Sequence, residues 1–592
     1  MSHVKEQRVG GAFLVEDIKM EDLITPEDFT DEHQMIAKTT EEFINKEVLP
    51  KMEHLENQEL EHTVDLLKKA GGLGLLSADV PKAYGGLALD AISSSLITEK
   101  FSVAGGFSIS HSGHVGIGSL PIIFFGNEAQ KEKYLPKLST GELLAAYALT
   151  EPAAGSDALG VGTTAKLNNE KTHYILNGEK QFITNAGFAD VFVVYAKIDK
   201  KDFSAFIVER DFPGVSTGPE EKKMGLKSSS TRTLVLEDAQ VPVENLLGEK
   251  GRGHIIAFNI LNVGRSKLAI SSVGTAKRAI ELATAYTNER EQFKQPLSNF
   301  SLTQQKLANM SINLYANESA VYRTVGLFEK RIGNLTQEQL NSGKEVAKAI
   351  AAYQIECSIN KYTCTELLDK VVDESLQLHG GYGFIQEYEI ERMYRDSRVN
   401  RIFEGTNEIN RILVPRQLLK LASSGNLPLF ENMEQNQKEL LTPLALNSTT
   451  TLSKEKALLK KAKQFFLYVA HLVHDTYQEK LESEQELLVY LADMVAEIYN
   501  MESALLRTEK ALYAIGEERN KLKVFYTEVF VQEAFERMIT YGKQSLLVAK
   551  ENEELSEVFA TLDTFMRQVV VNLIPKKRYI AKVIIDAEGY VV

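Results

Sequence analysis

The chain has 592 residues, too many for one compact core and enough for about three or four domains. With 44% hydrophobic and 25% charged residues it falls outside the disordered and collagen-like classes. A formal net charge of −14 argues against a nucleic-acid partner, because phosphate binding is driven by Lys and Arg that release counterions.

Residues 1–29 read as an N-terminal extension. The stretch MSHVKEQRVGGAFLVEDIKMEDL lacks a basic segment followed by an apolar one. No apolar run in the chain approaches the roughly 20 residues of a membrane span, so a cytoplasmic location is expected. From 30 to 144 the period is helical: DEHQMIAKTTEEFINKEVLPKME and HTVDLLKKAGGLG carry apolar residues three and four apart. The glycine-dense HSGHVGIGSLPIIFFG suits either close helix packing or room for a ligand. Its His111 and His114 have no carboxylate or cysteine at ligand spacing, so packing and no metal site is expected there.

Between 145 and 250 the period becomes two, in HYILNGEKQFITN, DVFVVYAKI, FSAFIVER and TRTLVLEDAQV, separated by turn signals. These strands do not alternate with helices, which argues against a dinucleotide-binding βαβ sheet. At the start of this β-domain stands YALTEPAAGSD. Its small residues let backbone approach a flat ligand and Thr150 and Ser156 offer hydroxyls; alone it reads equally well as a turn with a proline. In KQFITN, strand alternation puts Phe182 and Thr184 on one face, able to cover a ring system or simply to pack.

Helical periodicity returns from 251 to 422, in lengths that suit a bundle of long antiparallel helices. Cys357 and Cys364 lie about two turns apart on one helix and read as reduced core residues. EREQFKQPL carries Arg290, and LQLHGGYGF carries Gln377 and Gly380–Gly381. A guanidinium and open backbone amides suit a pyrophosphate, while glycines between helices also serve close packing. RIFEGTNEINR sets Glu404 between an aromatic ring and a glycine, where a solvated glutamate is the bland alternative. SSGNLPLFENMEQNQKE then reads as a linker into a last helical domain, 423–592. Its charged runs are expected to be solvated faces, with a weak membrane-surface contact through FFLYVAHLV as the lesser alternative. Phosphate-loop, HExxH, CxxC and GxSxG patterns are absent.

In order and spacing these segments resemble the acyl-CoA dehydrogenase family over residues 30–420. Both family signatures are present: ALTEPAAGSDALG, and Gln377-x-x-Gly380-Gly381-x-Gly383-Phe384 continuing through Glu387, Arg392 and Asp396. The FEGTN wording and the long helical extension are most similar to the very-long-chain branch. The resemblance implies an α+β, predominantly α fold: a helical N-terminal domain, a central β-barrel and a four-helix bundle, here with an extra C-terminal helical domain. It implies FAD as cofactor and dehydrogenation of an acyl-CoA, of long chain, to a trans-2-enoyl-CoA in fatty-acid β-oxidation, with electron-transfer flavoprotein as acceptor.

By the same resemblance Glu404 is the base that removes the α-proton. Tyr147, Leu149, Thr150 and Ser156 line the flavin, Phe182 and Thr184 cover it, and Thr406 and Glu408 return to it. Arg290, Phe293, Gln377, Gly380 and Gly381 come from a neighbouring subunit to the FAD diphosphate and adenosine, so a homodimer is expected. Ser156, Asn262, Arg265 and Gly405 face the thioester and CoA. Gly264 stands where some branches carry the base instead. An acyl-CoA oxidase, or a non-catalytic assembly protein that keeps the fold, are the alternatives.

Overall fold

The computed structural model describes residues 9–433, 450–549 and 571–592, with 555–556, 559–560 and 562–563. The later part of the expected linker and the first eight residues lie outside these. Seven helices come first: α1 (Asp31–Phe43), α2 (Met52–Glu56), α3 (Leu60–Gly72), α4 (Ala91–Phe101), α5 (Gly106–Ser112), α6 (Leu120–Phe125) and α7 (Glu128–Thr140). Thr30 caps α1 by accepting from the backbone N–H of His33, and Asp90 caps α4 by accepting from Ser93. The glycine-dense stretch between α5 and α6 is a π-helical turn, Gly113–Gly118. A Cβ on Gly118 would stand 2.8 Å from that of Ala145, and one on Gly113 would stand 3.2 Å from Thr184 and Asn185. These two glycines therefore let the turn lie against the sheet. His111 and His114 meet the Leu75 and Leu138 carbonyls through Nε2 at 2.9 and 3.0 Å, as packing residues do.

Strands follow: β1 (Ala145–Ala148), β2 (Thr164–Leu167), β3 (His173–Thr184), β4 (Val191–Ile198), β5 (Asp202–Glu209), β6 (Val215–Thr217), β7 (Thr231–Pro242) and β8 (Leu246–Leu247). They form one mixed sheet in the order β6-β7-β3-β2-β4-β5-β8, with β1 added parallel to β4. DVFVVYAKI is apolar almost throughout because β4 is covered on both sides. Val191, Val193 and Tyr195 pack with helices, and Phe192, Val194 and Ala196 fill the space enclosed by the sheet.

The second helical unit comprises α8 (Gly253–Glu289), α9 (Ser301–Ile332), α10 (Gln337–Asn341), α11 (Gly343–Ala351), α12 (Gln354–His379), α13 (Glu389–Ser397) and α14 (Asn407–Ser423). Cys357 and Cys364 are buried free thiols on α12. Arg392 and Asp396 of the second signature bolt three regions together. The guanidinium donates to the Val103 carbonyl at 3.4 Å, and Asp396 accepts from the backbone N–H of Leu226.

The last helices are α15 (Ser453–Tyr477), α16 (Gln485–Ile515), α17 (Lys521–Ala549) and α18 (Ile574–Asp586). α16 lies on α9 and α14, and α18 on α9. The expected membrane-surface face on α15 is corrected here: Phe465, Phe466, Leu467, Val469, Ala470 and Val473 are all buried in the core, so that stretch has no apolar face to offer a bilayer. Among the described residues no helix is long and apolar enough to cross a membrane. The N-terminal segment is wedged between bundle and C-terminal helices. Phe13 is buried against Tyr499 with ring centroids 4.7 Å apart, and Arg507 of α16 binds both Glu27 and Glu318.

Candidate active site

The stretch that raised the question of Glu404 is a tight turn leading into α14. Glu404 and Gly405 are both left-handed, with φ of 57° and 78°. That conformation suits glycine and strains a glutamate, so the surroundings must hold it. Side chains from three helices do so. Asn410 Nδ2, one turn into α14, donates to the carbonyls of Gly405 (2.9 Å) and Thr406 (3.0 Å). Arg265 Nε of α8 donates to the Glu404 carbonyl at 3.2 Å, and Lys361 Nζ of α12 to that of Gly405 at 2.8 Å. Thr406 caps α14 by accepting from the backbone N–H of Ile409.

With the turn carbonyls so occupied, the carboxylate itself is left alone. Its Oε2 is shielded from solvent and has no hydrogen-bond partner. Burial pushes the Glu404 pKa up to about 7, against the pull of Arg265 and Lys361. Gly264 makes the room: a Cβ there would stand 2.6 Å from Oε2 and 2.9 Å from Cδ. Any side chain at 264 would displace the carboxylate. Arg265 is buried and its NH1 donates to Asn262 Oδ1 at 3.3 Å, so Asn262 and Arg265 form one unit beside the turn. Glu408 is exposed on the first turn of α14.

Across from the turn lies the start of the sheet. Tyr147 of β1 has a shielded hydroxyl without a partner, packs edge-on against Tyr195 (centroids 5.3 Å), and lies within electrostatic reach of Glu404. Leu149 is buried, and the Thr150 carbonyl accepts from the backbone N–H of Gln181 at 2.9 Å, tying the signature loop to β3. Ser156 is exposed farther along that loop. Regular alternation does not hold at the end of β3. Its register with β7 shifts between Lys180 and Ile183, and Phe182 sits in this bulge with φ of 60° and 59% of its surface exposed. Thr184 resumes the ladder opposite Thr231 and faces the Gly113 turn.

The third group gathers elsewhere. Arg290, Gln377, Gly380 and Gly381 line a groove of about 510 Å³ at the C-terminal end of α8. Gly380 is left-handed (φ 59°), and the space over both glycines is open. The Arg290 guanidinium lies over the Tyr382 ring at 5.7 Å. Phe293, with φ of 54°, is 88% exposed, and Phe384 is 82% exposed. Arg265 and Arg290 are separated by 25 residues of one helix, a rise of about 37 Å. The structure thus sets the Glu404 turn and the groove far apart along α8.

Sequence reading missed Lys361, Asn407 and Asn410, whose spacing on α12 and α14 resembles that of ordinary helix residues. It also missed the buried pair Lys180–Glu151 (2.6 Å), which ties β3 to the first signature. Among the described residues one metal-capable group comes together, His54, Glu59 and His62; it lies near the surface on α2, α3 and the turn between them, with Glu59 hydrogen-bonded to His54 at 2.9 Å and 3.4 Å from His62.

Family comparisons cover most of the chain. Residues 30–142 match the acyl-CoA dehydrogenase N-terminal domain, 146–239 its middle domain, and 251–419 its C-terminal domain; 461–563 match a further domain of that last description. A probable acyl-CoA dehydrogenase of Bacillus subtilis (strain 168) is 59% identical over 584 residues, 98% of each chain. The human mitochondrial very long-chain specific acyl-CoA dehydrogenase is 36% identical over 477 residues, 75% of this chain and 69% of that one. A crystal structure of an acyl-CoA dehydrogenase complexed with FAD from Bacillus anthracis has a TM-score of 0.97 and 59% identity, covering 99% of this chain and 100% of that one. This chain belongs to the acyl-CoA dehydrogenase family.

Proposed function

We propose that this chain is an FAD-dependent acyl-CoA dehydrogenase of fatty-acid β-oxidation. It acts on long-chain acyl-CoA and gives trans-2-enoyl-CoA, with Glu404 removing the α-proton. The observation that carries this reading is a shielded, partnerless carboxylate oxygen in space that a side chain at Gly264 would fill.

The residues present fit FAD, the group bound by the Bacillus anthracis relative. Tyr147 has an orphaned shielded hydroxyl, Phe182 exposes a ring from a strained bulge, and the Gly380–Gly381 backbone opens a cradle that any Cβ would narrow. Bound there, FAD supplies the acceptor for the hydride that leaves the β-carbon. On this reading Tyr147, Leu149, Thr150, Phe182, Thr184, Thr406 and Glu408 serve its flavin end, and Ser156 both flavin and CoA. Arg290, Phe293, Gln377, Gly380 and Gly381 serve its diphosphate and adenosine. A separation of about 37 Å along α8 is more than one FAD can bridge, so the second set serves the partner's cofactor. The exposed Phe293 and Phe384 beside the groove support the same homodimer.

Glu404 then has two tasks that pull against each other. It must be ionised to take a proton, and it must be basic enough to take one from carbon. A carboxyl at about 7 is part ionised at neutral pH and gains about 1.4 kcal/mol of proton affinity for each unit above its usual value. The thioester carbonyl gathers negative charge as the α-proton leaves, and the backbone N–H of Glu404 is the donor proposed for it. Gly405, without a Cβ, lets the thioester lie along the turn. Arg265 and Asn262 bound the CoA side. The human very long-chain specific relative supports the long-chain assignment, and electron-transfer flavoprotein is the acceptor proposed with it.

The test is anaerobic addition of palmitoyl-CoA to the yellow holoenzyme. The flavin should bleach, and Glu404→Gln should bind the thioester and stay yellow; undiminished bleaching in that variant refutes the base. A chain-length profile peaking at butyryl-CoA overturns the long-chain assignment, and peroxide formation at the turnover rate without an added acceptor would select an oxidase.

A further inference from the structure

Lys361, like Arg265, is a buried cation of the turn's scaffold, and a buried cation is physically expensive. Its side chain is buried, and among the described residues it makes no ion pair. Its partners are the Gly405 carbonyl at 2.8 Å and Asn407 Oδ1 at 2.7 Å. A neutral donor would meet both acceptors without the cost of desolvating an ammonium. What a neutral donor lacks is the charge of the ammonium form, and the hydrogen bond to the Gly405 carbonyl sets that charge beside the Glu404 turn, where Glu404 leads the carboxylates that face it.

From Lys361 a chain of polar contacts runs out of the catalytic unit. Asn407 Nδ2 donates to Glu366 Oε1 at 3.0 Å. Glu366 takes both ends of the Arg411 guanidinium, at 2.5 and 2.8 Å, and Arg411 Nε donates to Asp493 Oδ1 at 2.7 Å. Asp493 belongs to α16, in the C-terminal helices. Arg411 is also held over the Tyr362 ring at 4.4 Å. Beside this crossing the junction opens into a cavity of about 420 Å³, lined by Glu366, Arg411, Asp493 and Asn500 among others. Arg411 thus reaches Asp493 along a cavity wall, where the contact is ionic.

Resting on the assignment of Glu404 as base, we propose that Lys361 is a positioning residue that fixes the Glu404 turn and favours its ionised form. Asp493 of the C-terminal helices holds Lys361 in place through Arg411, Glu366 and Asn407. The extra domain then contributes to the chemistry of a site it does not line.

Charges facing this chain come from every element around it. Glu404 feels Arg265 of α8 and Lys361 of α12, and raises the Tyr147 phenol of β1. Lys361, pushed by burial to about 7, is met by Glu404, Arg265, Glu408 and Glu366. Asp493, pushed by burial to about 6, faces Arg411, Glu366 and Glu497.

The experiment compares wild-type, Lys361→Met, Lys361→Arg, Asp493→Asn and Glu404→Gln holoenzymes by stopped-flow anaerobic flavin reduction with palmitoyl-CoA from pH 6 to 9. Lys361→Met should move the pH midpoint of the reduction rate upward by about one unit. It should also slow reduction at pH 7 about fivefold, with thioester affinity within twofold of wild type. Lys361→Arg should restore the midpoint, which a purely structural lysine would not require. Asp493→Asn, at the junction with the C-terminal helices, should shift it in the same direction by less. Wild-type midpoints in both Lys361→Met and Asp493→Asn overturn the proposal while leaving Glu404 in place. If Lys361→Met fails to hold flavin, Asp493→Asn alone decides: an unmoved midpoint overturns the link. Bleaching by Glu404→Gln would bring down the base, and the proposal with it.

Discussion

The Glu404 turn and the Arg290–Gly381 groove, the two parts of the proposed site, are built in opposite ways. The turn is internal: the carbonyls of Glu404, Gly405 and Thr406 have donors from α8, α12 or α14, while Glu404 Oε2 is left without a partner. The groove is open: its glycines face empty space, and a phenylalanine beside it is 88% exposed. Reactive groups gain from a dry, prearranged setting, whereas a cofactor's charged end needs only a cradle that a second subunit can complete. The contrast sets a turn completed within one chain against a groove left open at the surface, the division that the proposed sharing of a cofactor between two subunits requires.

The deepest cut is at the carboxylate. Glu404→Gln should lower the anaerobic reduction rate by at least about 10²- to 10⁴-fold, the usual worth of a general base, with flavin content unchanged. Flavin loss in parallel with activity would instead make Glu404 part of the cofactor site. Gly264→Ala probes the same half more gently. The atom its Cβ meets is the free end of the Glu404 side chain, so the fold should survive while the carboxylate is pushed aside. We expect about a 10- to 100-fold loss in reduction rate, since small misplacements at a reacting centre are costly. A fully active alanine variant would mean that the base sits elsewhere when substrate is bound.

The groove should respond differently. Arg290→Ala should weaken FAD by about tenfold or more, the worth of a charge-assisted contact, and leave the reduction rate of the flavin-saturated enzyme near wild type. Subunit mixing turns the contrast into a direct measurement. If Arg290 serves the partner's cofactor, refolded mixtures of Glu404→Gln and Arg290→Ala chains form dimers with one intact site. At limiting FAD they should regain about a quarter of wild-type activity. No regain would mean that both halves act within one chain.

The legibility of the two halves also differs. Strand and helix periods were visible from end to end, and the turn and groove segments stood out because their wording is odd: a glutamate before glycine, paired glycines after a helix. The supports were not visible. Lys361 and Asn410 look like ordinary helix residues, and only burial against the turn reveals their use. Phe182 misled in detail, since alternation assumes a regular strand and its bulge reverses the local backbone. FFLYVAHLV looked like a membrane face because an amphipathic helix has the same pattern whether it meets lipid or protein.

The smallest expected effect separates burial from every other property of the turn. Glu404 has its folded pKa raised from 4.5 to about 7, so the folded state favours the protonated form. Below pH 4.5 the group is neutral in both states and burial carries no ionisation penalty. As pH rises toward 7 the unfolded chain ionises more readily than the folded one, and the penalty grows to a plateau above 7. A glutamine has no charge to bury, so Glu404→Gln should raise the thermal midpoint at pH 8, by the equivalent of at most about 3 kcal/mol, and leave it unchanged near pH 4.5. The equivalent change in the groove, Arg290→Gln, should show no such pH-dependent gain, because its guanidinium is exposed in the single chain. A gain of equal size at both pH values would show that glutamine merely packs better at 404 and that the carboxylate is not held against ionisation.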